Sequence, residues 1–154
     1  MPEWIGDWTA ETAVPYLQTK TAPLRLACHT PSGHPWILSL WYLYRDGAFH
    51  CATGANATVV DYLEADDRVA VEVSDDEPPY RGVRGAGHAT LSIDEEKQVL
   101  GSLLERYLGS TDTELGKRLL DPERTEIHVR IDVETLHTWD FTERMSSASD
   151  SQTV

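Results

Sequence analysis

Residues 24–54 read LRLACHTPSGHPWILSLWYLYRDGAFHCATG, and this stretch decides the fold. Leu24 to His29 is a short apolar run, Pro31-Ser32-Gly33 is turn chemistry, and Trp36 to Tyr44 is a long apolar and aromatic run closed by Asp46-Gly47. Ala48 to Thr53 follows as a third apolar run. Strand, turn, strand, turn, strand over so short a distance predicts an antiparallel meander. The middle strand is apolar on both sides, with Trp36, Leu38, Leu40 and Tyr42 on one and Ile37, Ser39, Trp41 and Leu43 on the other. Such a strand is covered on both faces, by a barrel interior on one side and by a helix, a subunit or a ligand on the other.

Beyond Gly54, Val59, Val60 and Leu63 recur at helical spacing within Asn56 to Ala65, with Asn56 placed to cap the helix. The period then returns to two, as Val69, Val71 and Val73 alternate with Ala70, Glu72 and Ser74 in a half-buried fourth strand. After the charged loop Asp75 to Pro79, Tyr80 to Leu91 reads as a fifth strand. Its glycines, Gly82, Gly85 and Gly87, mark a bulge, a barrel corner or a close approach. Ser92 with Glu95 forms a capping box ahead of the stripe Leu100, Leu103, Leu104, Tyr107 and Leu108, which Gly109 stops. Thr111 with Glu114 caps another helix, carrying Leu115, Leu119 and Leu120 and ended by Pro122. Ile127, Val129 and Ile131 form a sixth strand and Thr135 to Phe141 a seventh.

Upstream, residues 1–20 form an N-terminal arm in which Pro15 opens a short helix through Leu17. Residues 144–154 are polar and poor in bulky side chains, so a disordered tail is expected there and 21–143 is the folded domain. Six to seven short antiparallel strands with a few helices predict an α+β protein, mainly β. A split β-barrel with helices packed outside is the architecture that removes exposed sheet edges.

The 154 residues carry 13 basic and 26 acidic side chains, a formal net charge of -13. That excess opposes duplex DNA or an anionic membrane as the main partner. The basic residues are 10 Arg and only 3 Lys, while Asp and Glu are spread along the chain, the pattern of a proteome adapted to high salt. No apolar run approaches the roughly 20 residues of a membrane span. MPEWIGDW, the opening stretch, has no basic region followed by an apolar one, and Cys28 and Cys51 have no metal-ligand or redox-motif spacing. A cytoplasmic protein with two reduced, buried thiols is therefore expected.

Phosphate-loop, nucleophile-elbow and zinc motifs are absent from the sequence. The glycines of RGVRGAG, Arg81 to Gly87, continue a strand instead of opening a helix, so a dinucleotide-binding reading fails on context. The six His, at 29, 34, 50, 88, 128 and 137, fall mostly in separate strands with no pair at helical spacing, and no metal site is assigned.

Taken in order, PSGHP followed by Trp36 to Tyr44, then DGAFHCATG, a helix, DDRVAVEV, PPYRGVRGAGHA and finally LHTWDF resemble the small pyridoxamine 5′-phosphate oxidase-like, FMN-binding split-barrel proteins. The resemblance covers about residues 20 to 142. It implies a homodimer with FMN at the subunit interface, or, in one branch, a deazaflavin coenzyme. By position, Leu38, Ser39, Leu40 and Trp41 match the segment along the flavin ring, and Thr53 the hydroxyl near the phosphate. Asn56, Ala57, Thr58 and Val59 match the loop and helix start that hold the phosphate. Arg81 and Arg84 fall near the interface, and Trp139 matches a late Trp close to the cofactor. Helix-start N–H groups attract phosphate and an aromatic ring can cover a flavin, so each role is physically sound. Each residue also has a plain structural alternative. Trp41 and Trp139 can be core or interface aromatics, Thr53 and Thr58 can end a strand and start a helix, and Arg81 and Arg84 can pair with carboxylates.

One departure stands out. Tight FMN binders of this kind commonly place a basic residue in the first helical turn after the third strand, where this chain has Thr58 and Val59. Losing two charge-assisted hydrogen bonds, each worth about 1.5 to 3 kcal/mol, weakens binding by about 10² to 10⁴. Arg25, Arg81 and Arg84, from this subunit or its partner, are the candidates to replace that charge. The implied function is flavin-dependent redox chemistry on a small molecule, with no general acid or base identifiable. The alternatives are a deazaflavin-dependent reductase and a non-catalytic flavin-binding or cofactor-free dimeric module. Oxidation of pyridoxamine phosphate itself is disfavoured, because no second basic phosphate site is found.

Overall fold

Both turns of the opening stretch form, with Gly33 (φ 86°), Asp46 (φ 52°) and Gly47 (φ 77°) in the left-handed region. The apolar run between them, however, is two strands. In the computed structural model, which describes residues 1–146, the chain folds as β1 (Glu3–Gly6), α1 (Ala10–Thr19), β2 (Leu24–His29), β3 (Pro35–Leu40), β4 (Leu43–Arg45), β5 (Ala48–Gly54), α2 (Thr58–Ala65), β6 (Arg68–Ser74), β7 (Arg81–Ile93), a 3-10 turn, α3 (Gln98–Leu108), α4 (Glu114–Leu119) and β8 (Glu126–Asp140). Residues 142–146 form a further helical turn, and the rest of the expected disordered tail lies outside the described residues.

The sheet runs β3-β2-β6-β7-β8-β5-β4, antiparallel throughout, with β1 added in parallel along the far half of β8. The expected meander is therefore corrected. The β2–β3 and β4–β5 hairpins lie at opposite ends of the strand order, because the run breaks at Trp41-Tyr42. Tyr42 turns fully inward there. Its hydroxyl donates to the carbonyls of Leu17 (2.7 Å) and Lys20 (2.9 Å), and its N–H donates to the Tyr107 hydroxyl at 3.2 Å. Burying a Tyr with its hydroxyl satisfied repays the interruption of the strand.

The expected sixth and seventh strands are one strand with a bulge. Val129, Ile131 and Val133 are buried, and then Leu136 and Thr138, so the inward phase moves by one residue where the β7 partnership shifts between Ala86 and Gly87. Gly87 is required at that point, since a Cβ would stand 1.9 Å from the Asp132 carbonyl oxygen. The core is filled by Ala13 and Leu17 of α1, by Leu24 and Leu26, by Tyr42 and Phe49, and by Val71, Val73, Val83, Ile131 and Leu136. α1 begins at Ala10, earlier than expected, with Pro15 inside it on the exposed side, where the carbonyl its ring leaves unpaired can take water.

Three caps also differ from expectation. α2 begins at Thr58 with Ala57 as its cap and no side-chain bond, so Asn56 lies one residue too early. Asp94, not Ser92, serves α3: its buried carboxylate accepts from the N–H groups of Val99 (3.0 Å) and Leu100 (2.9 Å). Thr113, not Thr111, caps α4 by accepting from the Gly116 N–H at 2.9 Å. No helix among the described residues is long and apolar enough to cross a membrane.

Candidate functional site

Gly54 ends β5 opposite Glu126 of β8, so the chain on either side of that pair converges at one end of the sheet. Two adjoining cavities open there. One, of about 300 Å³, is lined by Ser39, Leu40 and Trp41 at the end of β3, by Ala52 and Thr53 of β5, by Leu100, Leu103 and Leu119 of the covering helices, and by Arg124 and Glu126. The other, of about 530 Å³, is lined by Gly54 to Ala57 and by Glu123 to Thr125. They share Gly54 and Arg124. Six of the expected residues, Ser39, Leu40, Trp41, Thr53, Asn56 and Ala57, thus come together along one groove.

The other expected residues are placed differently. Leu38 packs against the core, and Val59 is 4% exposed within it, so Val59 offers the groove only its backbone. Thr58 is exposed at the first helical position. The N–H groups of Thr58 and Val59 precede the helical ladder and have no intrahelical acceptor. Trp41 stacks on Tyr107 of α3, centroids 5.0 Å apart and planes 6° from parallel, so one face of its ring is already covered.

Arg84 and Trp139 belong to a different surface, the outer face of β2, β6, β7 and β8. There a cavity of about 420 Å³ is bordered by Arg25, Ile37, Glu72, Arg84 and His137. The Arg84 guanidinium lies 5.1 Å from the Trp139 ring, which has room because Gly82 faces it; a Cβ on Gly82 would come within 2.5 Å of that ring. Arg25 links the two regions, donating from Nη1 to the Ser39 hydroxyl at 2.8 Å.

Arg81 is spoken for elsewhere. Asp75 accepts from Arg81 Nε (2.9 Å) and the Tyr16 hydroxyl (2.8 Å) and pairs with Lys20 Nζ (2.9 Å). Burial alone would raise the Asp75 carboxyl, but the hydrogen bonds from Lys20, Arg81 and Tyr16 outweigh it and hold it below the usual carboxylate range. The plain alternative, pairing with a carboxylate, is thus what Arg81 does.

Two features had no sequence signal. Arg124 stands in the irregular stretch before β8, where no periodicity singles it out, and reaches the groove only through the β5–β8 pairing. Its Nη2 donates to Glu126 Oε1 at 3.0 Å, and Glu126 is 3% exposed. His50 and His128, on neighbouring strands, meet Nδ1 to Nε2 at 2.9 Å. Burial holds both rings below the ordinary histidine value, with Arg45 and Arg130 acting in the same direction. No group of three or more metal-ligating side chains gathers among the described residues. Cys28 and Cys51 are free and buried, and burial pushes the Cys51 thiol up to about 12.

The groove suits the two ends of a flavin nucleotide. Apolar walls from Leu40, Trp41, Leu100 and Leu103 suit a flat ring, and the free helix-start N–H groups with Arg124 suit a phosphate.

No family model and no curated protein matches the chain. Solved structures do. A conserved hypothetical protein from Mycobacterium tuberculosis matches with a TM-score of 0.71 at 25% identity, over 89% of this chain and 87% of its own. An F420 reductase matches at 0.61 and 20% identity, over 78% and 92%. A candidate pyridoxamine 5′-phosphate oxidase from Listeria innocua matches at 0.61 and 12% identity, over 81% and 93%. With these structural neighbours, the chain has the split-barrel fold of the pyridoxamine 5′-phosphate oxidase-like, FMN-binding proteins.

Proposed function

We propose that the chain binds FMN in the groove between β3, β5 and the start of α2, and uses it as a homodimer for redox chemistry on a small molecule. The observation that carries this is the convergence of Ser39, Leu40, Trp41 and Thr53 with the Gly54 to Ala57 loop and Arg124. A bound flavin supplies hydride or single-electron transfer. The chain's own residues position it and keep water out: Arg25 fixes the Ser39 hydroxyl, and Leu100, Leu103 and Leu119 wall the apolar end. The dimer is supported by Trp36 and Ile37, 47% and 68% exposed on a strand that is apolar on both sides, beside the surface carrying Arg84 and Trp139. A self-complementary contact there lets a second copy bring Arg84 and Trp139 toward the groove. The free, buried thiols suit a cytoplasmic setting.

A second reading, a deazaflavin coenzyme in the same groove, is favoured by the likeness to an F420 reductase, whereas Thr58 and Val59, which leave the helix start without a cation, favour a cofactor-free module. Incubating the protein with FMN or with a deazaflavin coenzyme in high salt, desalting and recording the visible spectrum separates them. Retained FMN is expected. Retention of the deazaflavin alone selects the second reading, and retention of neither leaves a cofactor-free module.

A further inference from the structure

The charge missing from the helix start has to come from somewhere, and the arginines named from sequence are engaged elsewhere. Arg25 holds Ser39, Arg81 is held by Asp75, and Arg84 lies over Trp139. Arg124 differs from all three. It lines both cavities of the groove, at the place where they join, and its side chain is 44% exposed. Glu126, almost fully buried beneath it, takes an Nη2 N–H at 3.0 Å. A guanidinium has five N–H donors in a planar fork, so one bond to Glu126 sets its direction and leaves donors for a second oxygen ligand.

We infer that Arg124, aimed by Glu126, holds the anionic end of the cofactor in place of the basic residue absent at Thr58 and Val59. This rests on the flavin reading of the groove. The pair also limits how tightly an anion is held. Glu123 lines the same cavity, so one guanidinium works beside two carboxylates, and a phosphate gains less than it would from the two cations this chain lacks. The expected gain is about tenfold, the low end of the range for one charge-assisted hydrogen bond.

The test compares FMN with riboflavin, which has the same ring and no phosphate, by flavin fluorescence titration. Wild-type protein is expected to bind FMN about tenfold more tightly than riboflavin. Arg124→Gln is expected to erase that preference, lowering FMN affinity by about tenfold more than riboflavin affinity. Because the single variant strands the buried Glu126 carboxylate, Arg124→Gln/Glu126→Gln is measured alongside it and is expected to show the same loss with the fold intact by circular dichroism. Preference for FMN surviving in the variants overturns the inference and leaves the flavin reading standing. Equal wild-type affinity for the two ligands overturns it as well. Binding of neither ligand overturns both.

Discussion

Asp75 and the His50–His128 pair are side chains whose proton affinity the fold shifts, and neither was picked out by any spacing in the sequence. Asp75 stood in a loop read only as charged, and the two histidines are 78 residues apart. Both histidines are held below their ordinary value by burial, so the folded chain resists protonating them. Unfolded histidines take protons near pH 6.5, so below that the unfolded state binds more protons and stability falls as pH drops, levelling off once the folded pair titrates. Asp75 and Asp140, held low, contribute in a separate window below about pH 4. Urea midpoints are expected to fall between about pH 7 and about pH 5, and His50→Gln/His128→Gln to flatten that slope. A wild-type midpoint constant over this range would contradict the assignment. Ser39, Leu40, Trp41, Thr53, Asn56 and Ala57 were legible through resemblance and do share a groove, whereas Arg124 was not, because an irregular stretch has no period to reveal it.

Strands and helices were mostly legible, since alternation at period two and stripes at period 3.6 survive in the raw sequence. What was hidden is where a period changes for three-dimensional reasons. Tyr42 continues an apolar run yet turns into the core, splitting it into β3 and β4 and sending the halves to opposite ends of the sheet. Tyr42→Phe removes the hydroxyl's bonds to the Leu17 and Lys20 carbonyls at the end of α1 and is expected to cost about 1 to 3 kcal/mol in urea denaturation. A cost below about 0.5 kcal/mol would show that the hydroxyl does not tie the β3–β4 break to the end of α1. The β8 bulge shifts the inward phase by one residue, so one strand looked like two. Gly87→Ala places a Cβ against the Asp132 carbonyl and is expected to destabilise by more than about 3 kcal/mol, read as a loss of thermal midpoint; a neutral result would mean the bulge relaxes freely.

For the whole molecule, the net charge of -13 is read as an adaptation to salt. Carboxylates that find an Arg, as Asp66, Asp75, Glu126 and Asp132 do, sit among many more that do not, and the fold carries that self-repulsion. Raising salt shortens the Debye length to roughly 3 Å at 1 M, so the thermal midpoint is expected to rise with sodium chloride; an unchanged midpoint would sink the high-salt reading. On the function proposed above, the same acidity makes an anionic cofactor depend on a few cations, with Arg124 in this chain and Arg84 of a second copy as the proposed sources. The most direct measurement is size-exclusion chromatography with light scattering in the presence of FMN. A particle of twice the 17.3 kDa chain mass is expected, with flavin absorbance co-eluting at one per chain. A particle of single-chain mass that elutes without flavin would contradict it.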